Sequence, residues 1–134
     1  MAPKALSAVI SRLVKAAPGA EGEELACRHL HGLGYRLLAR NFRCRSGEID
    51  VIAQDGGTLV FVEVKERHGA SHGEGHEGVT WGKRRRIVRA ARVYASSRSL
   101  GDEQSVRFDV VSIDWREGRP AVRHDRGAFD SEGK

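Results

Sequence analysis

Three side chains within residues 47–67 have the types and spacing needed to hold a hard metal ion beside a phosphate ester. Asp50 lies within one apolar run, and Glu63 and Lys65 lie at the end of another. Mg²⁺ prefers oxygen ligands and is often held by one or two carboxylates together with substrate phosphates. A lysine nearby can orient the attacking water or stabilise charge on the phosphoryl group. The structural alternative is an ion pair between Glu63 and Lys65, which lie roughly 7 Å apart along a strand.

A predicted β-hairpin positions these three side chains. Residues 48–54 and 58–66 have strand character, and the two glycines in the turn at 55–57 tolerate the positive φ of a short loop. Side chains alternate between faces along a strand, so Glu63 and Lys65 share one face of the second strand. Both faces of this strand begin with apolar residues, which is typical of a central strand covered on both sides. The charged end of the strand is therefore expected to be partly buried.

A helix is predicted at residues 20–33, ahead of the hairpin. Its buried stripe consists of Leu25, Ala26, Leu30 and Leu33. Acidic residues open the helix and Gly34 suits its end, as the helix dipole and C-cap geometry favour. Glu23 is one of these acids. It is either a surface residue stabilised by the dipole or a third acid of the candidate site.

A second helix is predicted at residues 80–97, with Thr80 as its N-cap. Its basic residues have no acid among them: Lys83, Arg84, Arg85, Arg86, Arg89 and Arg92. A run of charge is usually a solvated face. Because this run accompanies a candidate phosphate-ester site, we expect it to contact the backbone of a nucleic acid.

An edge strand is predicted at residues 35–43, just before the segment that carries Asp50. Arg43 and Arg45 place positive charge beside the proposed metal site, where we expect them to contact nucleic acid. The alternative is that these arginines only form a charged strand edge, which discourages pairing with another chain.

The remaining segments have less specific signals. Residues 106–113 are predicted to form a strand in which Asp109 is structural, and a short strand is predicted near Val122. Residues 68–78 contain three histidines and four glycines, which favours a loop beside the site over a helical metal site. Residues 1–17 are basic, contain no acid and carry a helical apolar stripe, which predicts a helical extension.

Length and composition fit a single globular domain. The chain has 134 residues, of which 40% are hydrophobic and 31% are charged, enough to bury roughly two thirds of the unfolded surface. The formal net charge of +5 favours polyanionic partners. Two cysteines without paired spacing argue against a disulfide framework and fit the reducing cytoplasm. No apolar run approaches the ~20 residues needed to span a bilayer.

These motifs resemble the active-site signature of the PD-(D/E)XK, or restriction-endonuclease-like, nucleases. The closer resemblance is to the YraN-like family of small bacterial proteins, predicted endonucleases similar to archaeal Holliday-junction resolvases. It runs over residues 22–129 through GEELA, LGY, RNFRCRSGEIDVIA, LVFVEVKER, VTWGKRRRIVRAA and RFDVV. Two positions depart from the pattern. Ile49 replaces the usual proline before Asp50, and Glu66 replaces a small or neutral residue, which would weaken the positive charge around Lys65.

The resemblance implies a role for each residue of the candidate site. Asp50 and Glu63 would bind Mg²⁺ or Mn²⁺, and Lys65 would assist the attacking water. Glu23 holds the place of a further glutamate that resolvase relatives supply from their first core helix. Resolvase relatives also act as twofold dimers, which implies a homodimer here.

We therefore expect an α/β fold with a restriction-endonuclease-like core, in which a central mixed sheet of four or five strands is flanked by helices. The predicted boundaries are 1–18 for the extension, 19–128 for the nuclease-like domain and 129–134 for a disordered tail. The expected function is that of a cytoplasmic, metal-dependent DNA endonuclease that selects branched structure and uses no small-molecule cofactor. The alternatives are a catalytically silent nucleic-acid-binding module and a protein-interaction scaffold. The stripe of the extension and the region around Trp115 are the candidate dimer surfaces.

Overall fold

The computed structural model describes residues 21–69 and 79–134 of the chain. Its elements, in chain order, are α1 (Glu21–Gly32), β1 (Arg36–Cys44), β2 (Gly47–Asp55), β3 (Thr58–His68), α2 (Trp81–Ser97), β4 (Ser105–Arg116) and β5 (Arg119–Phe129). The predicted N-terminal extension and most of the predicted loop at 68–78 lie outside the described residues. Neither of the two described helices is long and apolar enough to cross a membrane.

The five strands form one mixed sheet in the order β1-β2-β3-β4-β5. Neighbouring strands are antiparallel except for β3 and β4, which are parallel. A parallel pair needs a crossover connection, and the chain makes this crossover through α2. β3 is therefore the central strand and β1 is an edge strand. The expected α/β fold, with a mixed sheet flanked by helices, is confirmed.

Each face of the sheet is covered by one helix. The cluster on the α1 face contains Ala26, Cys27, Leu30, Val51, Ala53, Val60, Val62, Val111 and Ile113. The cluster on the α2 face contains Ile49, Ile52, Leu59, Phe61, Ile87, Ala91, Tyr94, Phe108 and Val110. Fully burying one large apolar side chain stabilises a fold by about 1.5–3 kcal/mol, whereas an exposed ion pair contributes about 0–1 kcal/mol. The two apolar clusters therefore hold the helices on the sheet.

The predicted helix start and the predicted turn at 55–57 form with the expected chemistry. Thr80 caps α2, and its Oγ1 accepts a hydrogen bond from the N–H of Lys83 at 3.2 Å. The two-residue loop between β2 and β3 contains Gly56 at φ +59°. The loop between β4 and β5 places Glu117 and Gly118 at φ +53° and +76°, the left-handed pair that suits the twist of a tight hairpin.

Three expectations about the elements need correction. Leu33 is 53% exposed rather than buried, because α1 ends at Gly32 and Leu33 lies beyond its last turn. β4 continues past the predicted 106–113 to Arg116, and β5 begins at Arg119. The predicted short strand near Val122 is therefore part of the longer strand β5. The tight loop between β4 and β5 lets β5 pair along most of β4.

The last residues, 129–134, lie against α2, whereas we expected a disordered tail at this chain terminus. Phe129 is 5% exposed and its ring stacks on Phe108 at a centroid distance of 5.1 Å. Arg84 donates a hydrogen bond from Nη1 to the carbonyl oxygen of Gly133 at 3.5 Å. An apolar anchor at the end of β5 thus holds the tail beside the helix.

Asp109 has the structural role predicted for it. It is fully buried, and its carboxylate accepts hydrogen bonds from Arg107, from His124 at 2.8 Å and from the N–H of Gly127 at 3.0 Å. Burial alone would raise the pKa of Asp109, but these hydrogen bonds outweigh it and lower the pKa below its usual value. The second ring nitrogen of His124 lies 3.0 Å from Nε2 of His29. The network joins α1, β4 and β5 on the α1 face.

Candidate active site and basic cleft

Asp50 lies where β2 separates from β3. The pairing of these strands runs from the loop as far as Val51 opposite Val62 and stops there. Beyond that point Oδ2 of Asp50 accepts a hydrogen bond from the N–H of Val64 at 2.8 Å. The Asp50 side chain thus accepts the hydrogen bond of a backbone N–H that lies beyond the end of the β2–β3 pairing. This contact fixes the carboxylate at the fork between the two strands.

At Asp50 the regular alternation of side chains along β2 is interrupted, and the two faces of the strand exchange. Ile49 and Val51 should share a face, yet they pack in the opposite apolar clusters. The neighbouring strand β1 shows the same reversal around Asn41, which has φ +52°, a conformation that asparagine tolerates better than most residues. Phe42 packs in the α2-side cluster. Burial of Asp50 at this reversal, followed by the negative charges of Glu63 on β3 and Glu23 on α1, raises its pKa.

Glu63 is buried at the same end of the sheet. It is 4% exposed, and its Oε2 lies 2.6 Å from Nζ of Lys83 on the first turn of α2. The hydrogen bond with Glu63 raises the pKa of Lys83 above its usual value against the opposing effect of burial. A buried carboxylate needs such a compensating charge, because its desolvation is costly.

The negative charge of Glu63 acts on Asp50. Burial, followed by the negative charge of Glu63, raises the pKa of Asp50 to about 7, while the N–H of Val64 opposes this rise. Two acids that share a site cannot both ionise freely unless a cation is present. The Asp50–Glu63 pair is therefore a place where positive charge is stabilised.

These residues fit a magnesium or manganese ion with few protein ligands. Within residues 21–69 and 79–134, no three His, Cys, Asp or Glu side chains converge in a ready-made metal cluster. Asp50 and Glu63 supply two carboxylates, which is the number Mg²⁺ often takes from a protein when water and phosphate oxygens complete its octahedron. Calcium, which prefers six to eight oxygen ligands, fits this pair less well.

The other two predicted catalytic residues lie close to the pair. Lys65 follows Glu63 on β3, where it pairs with Ser112 of β4 and is partly buried. Glu23 lies on α1, and its Oε1 accepts a hydrogen bond from Nη2 of Arg40 at 2.8 Å. The negative charge of Glu23 also contributes to the raised pKa of Asp50. Glu23 is therefore near the site but is held by an arginine of β1, a contact that the sequence did not predict.

Glu66 is directed to the α1 face of the sheet. Its Oε2 accepts a hydrogen bond from Nε1 of Trp115 at 2.6 Å, and its carboxyl group lies against Gly22. Side chains alternate along β3, so Lys65 lies on the opposite face of the sheet from Glu66. Being adjacent in sequence therefore does not bring the Glu66 carboxylate beside the Lys65 ammonium, which the expected weakening of its positive charge would need. Trp115, which we considered as a dimer surface, is partly buried against the α1-side cluster of its own chain.

A basic cleft opens beside the carboxylate pair. It has a volume of about 390 Å³ and is lined by Arg43, Cys44, Gly47, Glu48, Asp50, Lys83, Arg86 and Ile87. The predicted nucleic-acid-binding residues Arg43, Lys83 and Arg86 thus meet Asp50 in one cavity. Arg45 is exposed close by in the β1–β2 connection. The walls of this cleft thus concentrate positive charge beside the acidic pair.

The rest of the basic helix forms a second groove of about 420 Å³. It is lined by Trp81, Arg85, Val88, Arg89, Arg92, Ser131 and Glu132. The guanidinium of Arg85 lies 4.8 Å above the centre of the Trp81 ring, and the indole is 56% exposed. Arg92 is exposed, although its Nη2 donates a hydrogen bond to the carbonyl oxygen of Ser131 at 3.4 Å. Arg84 differs in being half-buried, and it donates hydrogen bonds to the backbone carbonyl groups of Val79 and Gly133. We therefore place Arg85, Arg89 and Arg92, but not Arg84, on the open basic face.

Comparison with known sequences identifies the family of this chain. The model described as "Uncharacterised protein family UPF0102" matches residues 22–113. The chain belongs to this family. A UPF0102 protein of Nocardia farcinica is 47% identical over 116 residues, covering 86% of this chain and 91% of the relative. A UPF0102 protein of Symbiobacterium thermophilum is 50% identical over 113 residues, covering 83% and 94% respectively.

The UPF0102 match covers the elements that build the site. It extends from the first turn of α1 to Ile113 in β4, and so includes Glu23, Asp50, Glu63, Lys65 and the basic residues of α2. The YraN-like resemblance drawn from the sequence motifs is thereby confirmed as membership of the UPF0102 family. Strand β5 and the tail against α2 lie outside the matched residues.

Proposed function

We propose that this protein is a Mg²⁺- or Mn²⁺-dependent endonuclease that hydrolyses phosphodiester bonds in DNA. The observation that carries the proposal is the Asp50–Glu63 carboxylate pair at the fork between β2 and β3, with Asp50 in the wall of a basic cleft. An isolated pair of buried acids would be destabilising. Placed beside a basic cavity, the pair has the charge that a catalytic cation requires.

Each residue has a distinct task in this proposal. Asp50 and Glu63 hold the ion, which when bound supplies an activated water and neutralises charge on the phosphate. The N–H of Val64 keeps the Asp50 carboxylate in place. Lys65, on the same face of β3 as Glu63, provides positive charge for the attacking water, and Arg43 and Arg86 attract the neighbouring phosphates.

The proposed enzyme selects the structure of DNA rather than its sequence. The basic side chains of the cleft and of α2 suit phosphate groups, and phosphate contacts position a duplex without reading its bases. The resemblance to resolvases points to branched DNA. A twofold dimer would then supply the two symmetric cuts that a four-way junction requires.

A substrate panel tests the proposal. Purified protein is incubated with four-way, flap, nicked, single-stranded and linear DNA in Mg²⁺, in Mn²⁺ and in EDTA, and products are resolved on denaturing gels. We expect cleavage of a branched substrate that EDTA abolishes. Absence of cleavage on every DNA and on matched RNA would contradict the enzyme. Light scattering on the same samples reports whether the expected homodimer forms.

The second candidate function is a nucleic-acid-binding module without turnover. It is favoured by one contact, because the ammonium of Lys83 already neutralises Glu63 at 2.6 Å. A gel shift that is equal in Mg²⁺ and EDTA, with intact DNA, would support this module in place of the nuclease.

A further inference from the structure

Lys83 and Glu63 form an unequal ion pair. Nζ of Lys83 lies 2.6 Å from Oε2 of Glu63, and the exposed fractions of the two side chains are 47% and 5%. Glu63 is fixed in the central strand, with neighbours on both sides of the sheet. Lys83 reaches it from the outside, along a flexible four-carbon stem. Of the two partners, Lys83 is therefore the one that can leave.

The carboxylate that holds Lys83 is also the one that the proposed function assigns to a metal ion. An ammonium and a divalent cation would compete for Glu63, and the divalent ion has the greater charge to offer the Asp50–Glu63 pair. Movement of Lys83 needs only a rotamer change, since its backbone is anchored in α2 by the Thr80 cap and by burial of Ile87, four residues on. The exchange of cations thus leaves the fold unchanged.

A second position for the ammonium is already provided. Lys83 lines the 390 Å³ cleft together with Arg43 and Arg86, whose side chains are both exposed. Of the acidic residues that line this cleft, Glu48 is exposed and lies 3.9 Å from Arg43. A lysine released from Glu63 would therefore face a cavity in which Arg43 and Arg86 outnumber Glu48, the one acid besides Asp50 among the described residues that line it. A phosphate group of a nucleic acid is the partner that such a cavity suits.

We propose that Lys83 is the counter-ion of Glu63 in the metal-free protein and becomes a phosphate-binding residue of the cleft when a divalent cation takes Glu63. This inference rests on the proposed metal site and deepens it. The metal ion and the nucleic acid then bind with positive coupling. The metal ion displaces Lys83 from Glu63 and so frees its ammonium for a phosphate group, and a phosphate group that binds Lys83 frees Glu63 for the metal ion. By linkage, DNA must raise the metal affinity by the same factor as metal raises the DNA affinity.

Amine labelling tests the exchange directly. The full chain has five lysines, at 4, 15, 65, 83 and 134, and mass spectrometry after a short pulse of an acetylating reagent reports each one. We expect the labelling rate of Lys83 to rise several-fold on addition of Mn²⁺, while that of Lys134, which is exposed in the tail, stays constant. An unchanged or slower rate at Lys83 in protein that binds Mn²⁺ overturns the inference.

Calorimetric titration with Mn²⁺ provides a readout that is independent of cleavage. Lys83→Gln removes the competing ammonium and should bind Mn²⁺ more tightly, on the order of tenfold for a hydrogen bond between charged groups. Lys83→Arg retains the charge and Lys134→Gln is the matched control, so both should stay near the wild-type affinity. A Lys83→Gln protein with wild-type or weaker Mn²⁺ affinity contradicts the inference.

The outcomes separate this inference from the proposed function. If Mn²⁺ binds and releases Lys83 but no DNA is cleaved, the exchange stands and the nuclease proposal fails. If DNA is cleaved and Lys83 labelling does not respond to metal, the nuclease stands and the exchange fails. If neither wild type nor Lys83→Gln binds Mn²⁺, both are overturned.

Discussion

The carboxylate of Asp50 accepts a hydrogen bond from the backbone N–H of Val64 at the point where β2 and β3 cease to pair. This relationship explains how a charged side chain is held at the end of an otherwise apolar strand. Where the strands separate, the N–H of Val64 on β3 no longer has a backbone acceptor on β2, and the carboxylate of Asp50 accepts its hydrogen bond instead. At this position the acid is also close enough to Glu63 for the negative charge of Glu63 to act on it.

We predict that Asp50→Asn stabilises the folded protein at pH 8. The raised pKa of Asp50, about 7, means that ionisation is disfavoured in the fold, so the penalty is complete above pH 7 and vanishes below the unfolded pKa near 4. The free energy of unfolding should rise by on the order of 2–4 kcal/mol at pH 8. Urea unfolding at pH 8 and pH 4 without divalent ions measures this. If the gain in unfolding free energy of Asp50→Asn were as large at pH 4 as at pH 8, the result would contradict the conclusion that Asp50 is a buried acid with a raised pKa.

We predict that the open basic face of α2 binds phosphates. Arg85→Glu, Arg89→Glu and Arg92→Glu combined should weaken binding to all duplex sequences alike. The log–log salt slope should fall in magnitude by roughly 0.9 for each phosphate that the variant no longer binds. Filter binding between 50 and 200 mM salt, about the range over which phosphate binding is resolved, provides the measurement. The same charge change at Arg116, Arg119 and Arg123, which are exposed on the β4–β5 hairpin, is the control, and equal slopes for the two triple variants would refute a dedicated face.

The network around His124 should make the fold acid-sensitive. Burial and then the proximity of His124 lower the pKa of His29 below its usual 6.5. The folded state then binds fewer protons than the unfolded state below that pH, so stability decreases as the pH falls through 6.5. Thermal melts from pH 7.5 to 5.5 should show this decrease in the wild type and a smaller one in His29→Gln. Identical slopes would exclude His29 as the cause.

Gly22 is predicted to be required by the position of Glu66. A Cβ at Gly22 would lie 2.6 Å from the carboxyl group of Glu66, which is held by Trp115. Gly22→Ala should therefore destabilise the fold by about 1–3 kcal/mol through overpacking, and adding Glu66→Ala should relieve part of this destabilisation. Gly32→Ala, with open space around its Cβ, is the helical control. A Gly22→Ala protein as stable as the wild type would show that Glu66 moves freely.

The sequence predicts much of this architecture because its signals are local. The apolar faces of β3, the Thr80 cap and the glycine turns each depend on residues a few positions apart, and all form as expected. Lys83 was expected to contact nucleic acid, and its contact with Glu63 was not foreseen. That contact depends on α2 packing over the face of β3 that carries Phe61, a tertiary relationship. The face reversal at Asp50 accompanies the positive φ of Asn41 in the neighbouring strand, and the simple alternation of side chains along a strand does not predict it.

The open-face arginines and the tail show the same limit. Arg84 and Arg85 are adjacent and chemically identical, yet Arg84 bonds to the backbone at Val79 and Gly133 while Arg85 lies over Trp81. Helical spacing distinguishes their directions but not their partners. The packing of residues 129–134 on α2 depends on Phe129, whose single aromatic ring at the end of a polar strand is a weak signal in sequence.

The most direct test of the proposed function is single-turnover cleavage of a branched DNA in saturating Mg²⁺ by wild type, Asp50→Asn and Asp102→Asn. Asp102 is an exposed carboxylate in the α2–β4 connection and controls for the removal of one charge. We predict that Asp50→Asn lowers the rate by about 10²-fold or more, as removal of a preorganised charged group at a reacting centre does, while Asp102→Asn retains the wild-type rate. Wild-type cleavage by Asp50→Asn would contradict the assignment of the active site to the Asp50–Glu63 pair.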